Sequence, residues 1–135
     1  LEGIAVQLCI EQGTDEEIEK LSSCFSDFSL PMDEPEIKRY LKEDQRFHGM
    51  IIAFSKNEVI ISFNNNFDFI MKTYQRGLIR YPEETLEEHK AITAAIRAKK
   101  AGEAQRLLIE HHMRSRSVIE EKHLKSFMSS KGDAV

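Results

Sequence analysis

Apolar residues recur every three or four positions along nearly the whole chain, a spacing that suits amphipathic helices and leaves no room for alternating strands. Ile37, Leu41, Phe47 and Ile51 draw one such stripe, and Asp44 and His48 fall inside it. A carboxylate and an imidazole thus occupy positions that a core-facing helix normally gives to Leu. The pattern repeats twice. Leu86, His89, Ile92 and Ile96 put His89 in line with residues that must be buried, and Ala104, Leu107, Leu108, His111, Ser115 and Val118 do the same for His111. Any fold for this sequence must bring three apolar faces together and also satisfy the polar groups they carry.

Six helices account for the chain. The first covers Leu1 to Glu11, with Leu1, Ala5, Leu8 and Cys9 on one side, and Gly13 ends it. Thr14-Asp-Glu-Glu17 has the form of a capping box and opens the second, through Ile18, Leu21 and Phe25. After the break at "SLPMDEPE" a third spans roughly Pro35 to Ser55. Asn57 is the expected N-cap of the fourth, whose inner face carries Ile60, Phe63, Phe67, Ile70 and Tyr74 up to Gly77. Thr85-Leu-Glu-Glu88 repeats the capping-box pattern at the fifth, and Gly102 separates that helix from a long sixth, Glu103 to Phe127. The expected fold is all-α, an antiparallel bundle with short connections and one core.

At 135 residues the chain makes about one domain. Nineteen Lys and Arg against 23 Asp and Glu give a net charge of -4, which points away from a nucleic-acid surface in this segment. The longest apolar run, Met50 to Phe54, is too short for a membrane span, and the acidic start does not read as a signal peptide. Cys9 and Cys24 lack CxxC spacing and read as buried, reduced thiols of a cytoplasmic protein. A first residue of Leu rather than Met predicts that the chain is a piece of something longer.

Asp44 and His48 stand four apart, so they project from one face on successive turns. An ionised carboxylate costs several kcal/mol to bury alone, and each imidazole has two nitrogens to satisfy. A divalent ion satisfies Asp44, His48, His89 and His111 together, and one oxygen with three nitrogens suits zinc, nickel or another late divalent metal. Two plainer readings stand beside this one: hydrogen-bonded core histidines, and a local Asp44–His48 ion pair. His112 and the Glu120-x-x-His123 pair read as surface or supporting groups. A metal-dependent hydrolase and a metal-free structural dimerisation bundle are the competing functional classes.

"DQRFHGMIIAFSKNEVI" resembles the D-x-x-F-H…N stretch of the FCD (FadR C-terminal domain) family, the effector-binding domain of GntR-family bacterial transcription regulators. "TLEEHKAITAAIRAKKAGEAQRLLIEHH" is similar to that family's E-H-x-x-I…H segment, with His89 and His111 separated by the 22 positions its pattern requires. The opening "LEGIAVQLCIEQGTDEEIEKL" looks like the family's first helix, so the resemblance covers essentially the whole chain. It implies a bundle of six or seven helices around a central cavity over residues 1–128, with 129–135 as a flexible tail. It also implies a divalent ion, often zinc or nickel, on Asp44, His48, His89 and His111, and a small carboxylate effector at or beside that ion. Asn64, Arg76 and Arg80 are candidate contacts to the effector. The implied partners are a second copy, as a homodimer, and DNA only through a winged-helix domain. That domain is expected to precede this segment and is absent from the chain, as is an arginine the family places before its L-E pair.

Overall fold

The computed structural model describes residues 1–74 and 80–132, and side chains except those of residues 67–74, 119, 122–124 and 126–132. Among these residues the chain forms six helices and no strand: α1 (Glu2–Gln12), α2 (Asp15–Ser22), α3 (Glu34–Phe54), α4 (Glu58–Tyr74), α5 (Pro82–Arg97) and α6 (Ala101–Gly132). The all-α expectation holds. Helix α1 lies between α3 and α6, α5 packs on α6 and α2, and α4 rests on α3.

Local chemistry sets most of the boundaries. The Thr14 hydroxyl accepts from the Glu17 amide at 3.1 Å while Glu17 accepts from the Thr14 amide at 2.9 Å, which completes the capping box of α2. Asp33 caps α3 through the Glu36 amide, and Asn57 Oδ1 accepts from the amides of Val59 and Ile60 at the start of α4. At Gly13 a Cβ would lie 2.3 Å from the Cys9 carbonyl oxygen, so this close return of the chain after α1 requires glycine.

Three boundaries differ from the sequence reading. Helix α5 starts at Pro82, with Tyr81 as N-cap, because proline lacks the amide that the first turn cannot use. Thr85 and Glu88 therefore lie inside α5 and form no capping box. The turn into α6 falls on Lys99, at φ 57°, and not on Gly102, which is already helical. There the amides of Lys99 and Lys100 donate to the carbonyls of Ile96 and Ala95, a Schellman closure with lysine in the left-handed position. Helix α6 continues to Gly132, past the expected end at Phe127, so the first residues of the 129–135 segment are helical.

The core is built from Val6, Leu21, Phe25, Tyr40, Phe47, Ile51, Leu86, Ile92, Ile96 and Leu108, all nearly or wholly excluded from solvent. Each contributes about 1.5–3 kcal/mol relative to an exposed position. The α3 stripe centres on Tyr40, Phe47 and Ile51, with Ile37 and Leu41 only half-buried. On α4 Ile60 is buried, but Phe63, expected inside, is largely exposed; Phe67, Ile70 and Tyr74 have no described side chains, and Gly77 lies outside the described residues. Cys9 donates to the Ile51 carbonyl and Cys24 to that of Lys20, both as free thiols. Burial pushes each thiol up to about 12.

Candidate metal centre

Asp44 and His48 on α3, His89 on α5 and His111 on α6 meet inside the bundle. One ligand atom each from His48, His89 and His111 lies within 4.8 Å of the other two. Asp44 joins from the α3 side, its Oδ1 2.9 Å from His48 Nε2 and 3.1 Å from His89 Nε2. His89 is completely buried and His111 nearly so, whereas His48 and Asp44 keep a fifth to a third of their side-chain surface exposed. Phe25 stacks flat on His89, with ring centroids 4.4 Å apart, and Phe47 meets the same ring edge-on. The aromatic pair forms an apolar wall behind the imidazoles.

Each of the three imidazoles has its Nδ1 held by a polar partner. His48 Nδ1 meets Glu2 Oε1 at 2.6 Å, His111 Nδ1 meets Glu88 Oε1 at 2.7 Å and His89 Nδ1 meets the Tyr40 hydroxyl at 2.6 Å. A carboxylate only accepts, so His48 and His111 donate from Nδ1; Nε2 then carries a lone pair on His111, and on His48 once its second proton yields to an ion. For His89 the chain of hydroxyls can run either way; toward a bound ion it runs from Nδ1–H to Tyr40, from the Tyr40 hydroxyl to Thr85 Oγ1 at 2.6 Å, and from the Thr85 hydroxyl toward the Tyr81 carbonyl at 3.5 Å. That direction also leaves Nε2 with a lone pair.

His89 Nε2 and Asp44 Oδ1 are both buried and neither makes an aligned hydrogen bond, despite their separation of 3.1 Å. With a lone pair on Nε2 these two electron-rich atoms repel unless a proton or a metal ion lies between or beside them. The residues thus fit a divalent ion by their donor set, by the lone pairs they turn inward, and by the buried atoms they leave unmet.

The electrostatics are those of a charged network. Burial raises the Asp44 carboxyl, but the neighbouring imidazoles, His48 first and then His89, outweigh it and hold the group well below the carboxylate range. Glu2 behaves alike: burial raises it, and His48 and His112 outweigh that and hold it well below the carboxylate range. For His48 burial opposes the charged form, yet Glu2 and Asp44 lift its pKa to about 10. His111 goes the other way, to about 3, through burial first and then the nearby His89 and His48. Burial likewise lowers His89.

The effector candidates fare differently. Arg80 reaches the site, but its guanidinium is committed: it forks onto Glu88 at 2.9 and 2.7 Å and donates to the His111 carbonyl at 3.1 Å and to Ser115 Oγ at 3.2 Å. It orients Glu88, and through Glu88 the His111 ring. Asn64 is a half-buried position on α4, and Arg76 lies outside the described residues, as does the side chain of His123. His112 stands beside the site, half-exposed, with Nε2 against Glu2 Oε2. Three contributors escaped the sequence reading: Glu2, Tyr40 and Glu88. The Leu1-Glu2 pair was visible in the opening helix, and Tyr40 sits one turn before Asp44, but nothing in the spacing marks either as a partner of a histidine.

Helices that bring imidazoles and a carboxylate to one point within a bundle define a candidate ligand-binding module. The chain belongs to the FCD domain family, whose model matches residues 1–114. FCD domains are the effector-binding, regulatory and non-catalytic domains of GntR-family regulators. No curated protein and no solved structure matches the chain. Among the described residues no helix is long and apolar enough to cross a membrane.

Proposed function

We propose that this domain senses a small carboxylate through a divalent ion, zinc or nickel, held by Asp44, His48, His89 and His111. The observation that carries the reading is the set of three Nδ1 partners, Glu2, Tyr40 and Glu88, which leave the Nε2 atoms of three helices facing one another around a buried, unmet Asp44 oxygen. The ion supplies fixed positive charge in a site walled by Phe25 and Phe47, where charge interactions are stronger than in water, and an acid can take the place of a water ligand. Asp44 lends one negative charge, the imidazoles none, so the centre keeps net positive charge for an anion. Asn64 and Arg76 remain candidate contacts to that acid, and Arg80 supports from behind Glu88.

In the intact regulator we place this domain in a homodimer whose two winged helices meet two half-sites on DNA. Effector binding selects among helix packings and so alters the spacing of those half-site readers. Family membership supports this part of the reading.

Thermal denaturation tests the sensor. A panel of small mono- and dicarboxylates is added to metal-loaded and to chelator-stripped protein. At least one acid raises the melting temperature of the loaded form and leaves the stripped form unmoved, because a ligand stabilises only the state it binds. Equal shifts in both forms contradict a metal-centred effector site, and stability indifferent to the chelator favours a metal-free structural bundle.

A further inference from the structure

On the Nδ1 side of His48 lies a second cluster. Glu2 Oε1 meets His48 Nδ1 at 2.6 Å and Glu2 Oε2 meets His112 Nε2, so α1, α3 and α6 each send one ligand-type group to a common point. One ligand atom from each of the three lies within 4.8 Å of the others. Glu2 retains only 15% of its side-chain surface, and among the described residues its charged partners are these two histidines, with no Lys or Arg.

The charge balance there rests on the two histidines. A carboxylate withdrawn from water needs positive charge beside it. Once the Nε2 atom of His48 is given to an ion, that ring is neutral and offers Glu2 one hydrogen bond from Nδ1. His112 Nε2 is itself buried and makes no aligned hydrogen bond, although the rest of its side chain is 42% exposed. The cluster therefore sets a buried carboxylate against an imidazole nitrogen that makes no aligned hydrogen bond, beside an opening to solvent.

We propose that Glu2, His112 and Nδ1 of His48 form a second divalent-cation site, weaker than the first and joined to it through the His48 ring. A second ion neutralises Glu2 and gives His112 Nε2 a partner. It displaces the His48 Nδ1 proton to solvent, so the ring becomes an imidazolate bonded through both nitrogens and no charge is left unaccounted for. The mixed carboxylate and imidazole donors suit zinc, copper or nickel. Three protein ligands, one of them half-exposed, and the need to release a proton make this site the weaker of the two. The inference rests on His48 being a ligand of the first ion.

Zinc titration of metal-stripped protein against a competing chromogenic chelator counts the equivalents. The wild type takes up zinc in two phases. His112→Ala, checked for helix content by circular dichroism, loses the weaker phase or weakens it about 10-fold or more and keeps the tight one, whereas Glu2→Gln, which also removes the Nδ1 partner of His48, weakens both. His89→Ala weakens the tight phase. A wild type that binds one equivalent, lost in His89→Ala and kept in His112→Ala, overturns the second site and leaves the first standing. A wild type with no tight phase overturns the first site and this inference with it. Copper gives an independent reading: two equivalents bridged by one ring show magnetic coupling in the paramagnetic resonance spectrum, and two uncoupled signals contradict the bridge.

Discussion

Tyr40 shows how much of the site's geometry is held by residues that touch no ion. Its hydroxyl lies 2.6 Å from both His89 Nδ1 and Thr85 Oγ1, and its ring packs edge-on against Phe28 in the core. Burial pushes its phenol far above the usual range, so it acts as a neutral hydrogen-bonding relay. Tyr40→Phe keeps the ring and removes only the relay. We expect metal affinity to fall about 10–100-fold, with a stability loss of about 1 kcal/mol from the lost hydrogen bonds, both readable by chelator competition and urea denaturation. An affinity equal to wild type rejects a positioning role for the hydroxyl. At this scale the sequence was partly legible. Asp44, His48, His89 and His111 declare themselves because each interrupts an apolar stripe, and a stripe has a period. Glu2 and Glu88 interrupt nothing: an acidic residue in a first turn, as at Glu2, is ordinary, and Glu88 stands outside the Leu86–His89–Ile92–Ile96 stripe. Glu88 also mimicked a cap because Thr85 stands three residues before it.

At the scale of elements, the two turns flanking α5 show why boundaries are harder to read than faces. "YPEE" and "TLEE" both carry start signals, and proline prevailed because the chain can use its fixed φ only at the first turn. Lys99 took the left-handed position although Gly102 stood nearby, because the last buried residue of α5, Ile96, fixes where the helix must stop. Lys99→Gly therefore relieves a backbone penalty and should stabilise the protein by up to about 1 kcal/mol, measured as a shift in the urea midpoint. The ion pair it gives up, to Asp15 at 3.4 Å, is exposed and contributes little. The cap of α2 has a pH signature. Glu17 is lowered from 4.5 by the Thr14 amide first and by Lys56 next, so its folded pKa lies below its unfolded one. Its contribution is present in full above pH 4.5 and fades as the pH falls below that value. Glu17→Gln keeps a cap acceptor and loses the charge. The gap in melting temperature between wild type and variant should be open at pH 7 and narrow progressively as the pH falls below 4.5; a constant gap assigns the effect to something other than the carboxylate.

For the whole molecule, the bundle resolves the conflict that the sequence posed. Phe25, Phe47, Ile92 and Leu108 close the core around α3, α5 and α6, and the polar interruptions of three stripes fall at one level of it. Helical period was enough to foresee an all-α domain and the four inward residues. It could not foresee that α1 belongs to the site, because Glu2 reaches His48 across 46 positions of sequence and only packing brings them together. The same holds for Arg80 and its fork onto Glu88. The account stands on one claim, that His48, His89 and His111 turn their lone pairs toward a common ion with Asp44. Metal analysis of purified protein tests it most directly. Wild type should carry firmly held divalent metal, while His89→Ala and His111→Ala, folded by circular dichroism, should each carry markedly less. Equal metal content in all three proteins contradicts the claim.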